Sequence, residues 1–142
     1  MIKISNTKKM GAVFSWSTQA GHPSEGGSCP ASFDDSGNYV DACQGCYARE
    51  GNYRFPNVKN TRLYNMEDWK REDFTKDMIE YIDLNCRYFR WFDSGDMYNL
   101  KLAEKILQIC KSTPHCKHWI PTRQYKFPKF NDVIERLNGL PN

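Results

Sequence analysis

The sequence predicts an α/β domain built on a parallel sheet. Three observations lead there. Short aromatic or β-branched runs alternate with amphipathic helical segments. The chain has 142 residues, which fits a single domain able to bury a real core. A Gly/Ser/Pro/Asp-rich loop longer than a mere connection follows the first strand, and such loops carry function or stay disordered.

Taken in order, Ala12-Val13-Phe14-Ser15-Trp16 reads as the first strand, and the loop runs from about Thr18 to Ala42. With its last cysteines the loop region covers about 18–50. Cys46 to Arg49 opens a helical turn that Pro56 interrupts, and Asn65 with Asp68 three residues on is an acceptable helix start. Phe74, Met78 and Ile82 recur every four residues and predict one buried helical face. Arg87 to Phe92 is the second strand. Leu102, Ile106, Ile109 and Cys110 fall at i, i+4, i+7 and i+8 of a second amphipathic helix. Lys117 to Thr122 is a weaker third strand. Phe130, Val133, Ile134 and Leu137 make a third helix, with Gly139 placed as its C-cap. About three β-α units with right-handed crossovers follow, a partial (β/α) barrel, because eight strands typically take about 250 residues. The chain stops where a fourth parallel strand is expected to begin. An exposed sheet edge invites pairing, so a homo-oligomer is expected.

Composition narrows the function classes. Twenty basic residues against seventeen acidic give a net charge of +3, too balanced to imply nucleic acid by itself. Lys8-Lys9 and Lys126 with Lys129 read as solvated surface, and no basic stripe or stacking motif stands out. The amino terminus carries charge and no apolar run, so no secretory signal is expected. No stretch approaches the roughly 20 apolar residues of a membrane span. The expected compartment is a reducing cytoplasm, where six cysteines serve as metal ligands or free thiols rather than disulfides.

The fold class sorts those cysteines. Active sites of parallel α/β sheets sit at the carboxyl ends of the strands. Cys29, Cys43 and Cys46 follow the first strand and belong to that end. Cys86 and Cys116 precede the second and third strands, and Cys110 lies on the apolar face of a helix. These three read as small buried hydrophobes at the other end. Cys43-Gln44-Gly45-Cys46 lets two sulfurs face one metal or cluster, and Cys29 arrives from across the Gly-rich loop. Three cysteines suit a [4Fe–4S] cluster with one iron open to a small ligand. Zinc prefers four protein ligands, and His22 is the nearest candidate for a fourth. Unliganded thiols are the remaining reading.

Several strings carry a family resemblance: Phe14-Ser15-Trp16-Ser17, Ser28-Cys29-Pro30, Cys43-Gln44-Gly45-Cys46-Tyr47-Ala48, Gly51-Asn52-Tyr53, Arg90-Trp91-Phe92-Asp93-Ser94-Gly95-Asp96 and Trp119-Ile120-Pro121-Thr122-Arg123. From about Met10 to Lys126 the chain resembles the phage gene product 88-like proteins. Its Cys-Tyr-Ala element is also similar to phage proteins related to radical-SAM enzymes. The resemblance implies a bacteriophage origin, hence the cytoplasm of an infected bacterium, a [4Fe–4S] cluster, a radical-SAM-like barrel and S-adenosylmethionine as a candidate co-substrate. Two features depart from the compact radical-SAM signature. Thirteen residues separate Cys29 from Cys43, and the aromatic Tyr47 follows the last cysteine instead of preceding it. Ser94-Gly95-Asp96 stands where a glycine-rich motif would hold the amino group of that co-substrate.

Asp93, Ser94 and Asp96 end the second strand at the cysteine end. They are candidates to bind a substrate amine, accept a proton or coordinate iron. Alternatively they cap the next helix. Arg123 ends the third strand there, either to bind a carboxylate and offset thiolate charge, or as a surface arginine. Arg90 sits mid-strand and needs a partner, for which Asp93 or Asp96 are in reach. Tyr47 is placed to pack over a cluster. Trp16, Trp91 and Trp119 read as core, and His115 and His118 as structural or surface groups.

Overall fold

The computed structural model describes residues 2–7, 13–44, 56–92 and 95–141. Four strands form one sheet in chain order: β1 (Ser5–Thr7), β2 (Val13–Trp16), β3 (Tyr88–Trp91) and β4 (Lys117–Trp119). β2, β3 and β4 are parallel, as the alternating pattern predicts, with Trp16 beside Trp91 and Arg90 beside Trp119. β1 is an addition. It runs antiparallel to β2, pairing Ser5 with Ser15, so the sheet is mixed.

The helices are α1 (Asp41–Gln44), α2 (Pro56–Asp68), α3 (Phe74–Asn85), α4 (Leu100–Ser112) and α5 (Asn131–Asn138). α3, α4 and α5 match their predicted faces, burying Phe74, Met78 and Ile82, then Leu102, Ile106 and Ile109, then Val133. α2 corrects the sequence reading. Pro56 opens this helix, because its fixed φ and missing N–H suit the first turn. Asn65 is inside α2 and is not a helix start. The helical turn expected from Cys46 lies outside the described residues. Gly139 does terminate α5, yet with φ −76°, so its freedom to turn left-handed is not used.

Strand alternation points Phe14, Trp16, Phe89, Trp91 and His118 toward α3 and α4. Trp16 packs its ring 5.4 Å from Phe74 and 5.9 Å from Trp91, and Phe89 lies 5.0 Å from Trp91. The high aromatic content is thus spent on a core of edge-to-face rings. Cys86, Cys110 and Cys116 belong to that core. Burial pushes their thiols up to about 11, 12 and 12. They stay protonated at neutral pH and make poor nucleophiles or ligands.

His118 is built into the core as a neutral ring. Trp91 Nε1–H donates to its Nδ1 at 3.1 Å, and its Nε2 lies 2.8 Å from Thr113 Oγ1, which itself donates to the Ile109 carbonyl. Only the tautomer protonated at Nε2 satisfies every partner. Burial, then nearby His115, pushes this imidazole down to about 4. Below an ordinary imidazole value, the unfolded chain takes up a proton that the folded chain refuses. Stability present at pH 7 is therefore lost as pH falls from about 6.5 toward 4, on the order of 2 kcal/mol. Urea titrations at pH 7 and pH 5 check this: the loss should shrink in His118→Gln, and an equal loss in both proteins would refute it.

Among the described residues, no helix is long and apolar enough to cross a membrane.

Candidate functional site

The carboxyl ends of the three parallel strands meet the cysteine loop. β2 leaves as Ser17-Thr18, and the Asn65 amide of α2 donates to the Ser17 carbonyl at 2.8 Å. The loop then crosses itself. Ser28 N–H donates to the Gln19 carbonyl and Cys29 N–H to that of Gly21. The crossing is tight enough that any side chain at Gly27 would fall on the Gly21 carbonyl.

From Cys29 a ladder of backbone hydrogen bonds leads to Cys43. Ser32 N–H donates to the Cys29 carbonyl at 3.0 Å, Val40 N–H to Ser32 at 2.8 Å, and Cys43 N–H to Val40 at 2.8 Å. Between them a turn at Asp34–Asn38 is held by Asp34 Oδ1, which accepts from Ser36 and Asn38 N–H groups. A bridge between Phe33 and Tyr39 closes it. The thirteen-residue gap of the sequence is thus a short hairpin, which brings Val40 back to Ser32, each three residues from its cysteine. Both cysteines are half-buried. Cys46 and Tyr47 lie outside the described residues. His22 caps the turn Pro23–Glu25, its Nδ1 accepting from Ser24 N–H, and its ring stacks on Phe33 at 3.9 Å.

Asp96 ties the strand ends together. It is 5% exposed, and its carboxylate accepts from Thr122 Oγ1 at 2.5 Å, Arg123 N–H at 2.9 Å and Met97 N–H at 2.8 Å. Burial pushes its carboxyl up, while those donors and the Arg123 charge pull it down. Gly95, at φ +84°, lets the chain pass against the Thr18 and Ser28 hydroxyls, which lie 2.6 Å apart. Phe92, at φ +59°, is a bulky residue in the left-handed region, a strain found at functional strand ends. Asp93 and Ser94 lie outside the described residues. The cap of α4 is supplied by Asn99, whose side chain accepts from Lys101 N–H.

Arg123 links the two halves of the site. Its N–H holds Asp96, and its Nε donates to the Ala31 carbonyl at 3.4 Å, two residues from Cys29. Lys126 Nζ donates to the Phe33 carbonyl nearby. The Arg90 guanidinium lies 4.5 Å over the Trp119 ring, and Asp93, one of its two expected partners, lies outside the described residues. Trp119 is half-exposed and is not core, because β4 is an edge strand.

Sequence reasoning missed Thr18, Ser28, Asn65, Thr122 and Gln124. Their common signal was a polar residue at or just past a strand end, which single-strand patterns do not weigh. The Gln124 amide, Ser17 Oγ and Asn65 Oδ1 are buried without hydrogen-bond partners among the described residues. Buried polar groups are normally paired, so these strand ends hold unfilled hydrogen-bonding capacity beside the cysteine hairpin. Cys29 and Cys43 supply two half-buried thiols; among the described residues no group of three Cys, His, Asp or Glu could hold a metal ion, so a centre on these thiols would need a further ligand from outside them.

No curated protein and no solved structure matches the chain. What does match is the family described as Gene product 88, over residues 2–142, and the protein therefore belongs to that family.

Proposed function

We propose that this chain binds a [4Fe–4S] cluster through Cys29, Cys43 and Cys46 and uses it in a redox or radical-type role during phage infection, in the host cytoplasm. The observation that supports the reading is the hairpin ladder, which pairs Val40 with Ser32 and so ties the segments carrying Cys29 and Cys43 together at the carboxyl end of a parallel sheet. Such a cluster supplies one-electron chemistry and, with three protein ligands, one iron open to a small molecule. The chain's own residues frame that opening: Arg123 offsets thiolate charge, and Asp96 fixes Arg123 in place. Asp93 and Ser94, on the same strand exit, are the candidates to meet a substrate. The helix-backed parallel strands support kinship with part of a radical-SAM barrel, with S-adenosylmethionine as the candidate co-substrate. Completion of the open sheet by a second copy is part of this proposal.

Anaerobic purification with iron, sulfide and zinc analysis tests it. About four irons and four sulfides per chain are expected, with loss of both in Cys29→Ala, Cys43→Ala and Cys46→Ala. Cys86→Ala, Cys110→Ala and Cys116→Ala should keep them. Stoichiometric zinc without sulfide would instead make the loop a structural staple. A cluster that reduces reversibly but does not cleave S-adenosylmethionine would leave an electron-transfer or sensing module.

A further inference from the structure

We propose that a cavity between β4, α4 and α5 is a binding site for a small uncharged molecule with a flat apolar body and one hydrogen-bonding group. The cavity has a volume of about 260 Å³. Met97, Cys110, Trp119, Ile134, Leu137 and Leu140 supply its apolar lining. It exists because α5 is short. That helix buries Val133 fully but leaves Ile134 and Leu137 half-buried, and the three-residue edge strand β4 does not fill the space beneath them.

The chemistry of the lining selects the ligand. Among the described residues no Asp, Glu, Lys or Arg lines the cavity. A charged ligand would give up water there without gaining a partner, so the ligand is neutral. His118 spends Nδ1 on Trp91 and Nε2 on Thr113. Thr122 Oγ1 donates to Asp96 and accepts from Gln124 N–H. Asn138, exposed at the end of α5, is different: its amide bonds no other group among the described residues and is available to one polar atom of a ligand. Size sets the rest. An apolar cavity of about 150 Å³ takes a benzene ring, so this one has room for two fused rings. The Met97 thioether and the Trp119 ring both favour contact with a flat aromatic body. The cavity also adjoins the strand-end cluster, since Met97 N–H and Thr122 Oγ1 both donate to Asp96. No cysteine of the hairpin lines it, so the proposal does not depend on a cluster.

Calorimetric titration of the full chain with 2-naphthol, a neutral two-ring probe with one hydroxyl, tests the proposal. Saturable binding of one molecule per chain is expected. Its charged counterpart 2-naphthoate should bind about tenfold or more weakly. Leu137→Trp, which fills the cavity, should lose about tenfold or more in affinity for 2-naphthol. Asn138→Leu, at an exposed position, should lose about fivefold by removing the polar contact. Leu84→Trp, on the exposed end of α3, should change nothing. If Leu137→Trp melts early, nuclear Overhauser contacts in the unaltered protein decide: the naphthol ring protons should reach the methyl groups of Ile134 and Leu137. No saturable binding, Overhauser contacts confined to other residues, or 2-naphthoate binding as tightly as 2-naphthol would overturn the proposal. So would unchanged affinity in Asn138→Leu, or in a folded Leu137→Trp.

Discussion

Asp96→Ala is expected to lower the melting temperature by about 10 °C, the equivalent of about 3 kcal/mol in a chain of this size. The carboxylate is buried and accepts three hydrogen bonds, two of them from backbone N–H groups of Met97 and Arg123. Removing it leaves those donors in a dry site, which costs more than the bonds themselves contribute. Asp96→Asn should recover only part of the loss, since its amide N–H₂ would face the Arg123 N–H. Calorimetry on both variants decides the matter. A melting point within about 2 °C of wild type for the alanine variant would mean that the strand ends are held by something other than Asp96.

Gly27→Ala is expected to cost about 3 kcal/mol and to release the cysteine hairpin from the strand ends. A methyl group at this position meets the Gly21 carbonyl and the Ala20 carbonyl, both backbone, so neither can swing aside as a flexible side chain would. The Cys29 N–H bond to Gly21 then has to break. Gly26→Ala is the control. Gly26 has φ +83° with open space around it, so alanine there should cost only about 1 kcal/mol of backbone strain and leave the crossing intact. Thermal melting and metal content of the two variants, measured together, separate the cases. Equal behaviour of the two would show that the crossing does not position Cys29.

Periodicity found α3, α4 and α5 because each buries a full apolar stripe against the sheet, and it found β2 and β3 because their aromatics alternate. It did not find α2, whose apolar residues do not recur along one face and which is tied down by polar contacts such as Asn65 to Ser17. β1 escaped for a related reason: Ser5–Thr7 has no pattern of its own and is a strand because it pairs with β2. At the site, the placement of Cys29 and Cys43 at the carboxyl end followed from strand order alone. The pairing of the two segments that carry them, Val40 with Ser32, did not, because it depends on the Asp34–Asn38 turn. The role of Asp96 was the hardest to read, since two of its partners lie 26 and 27 residues away and its own local sequence looks like a helix cap.

Because β1 runs against β2, the sheet is closed to parallel growth on that side and polar in its possibilities of assembly. Among the described residues the sheet has two edge strands, β1 and β4, and of these β4 alone belongs to the parallel set. Two copies related by a two-fold axis normal to the sheet would join β4 to β4 in antiparallel fashion, an isologous contact that ends after one step. A partner supplying parallel strands to β4, as barrel completion requires, would instead have to meet this chain head to tail. The direction of one three-residue strand thus separates a closed dimer from a ring or filament.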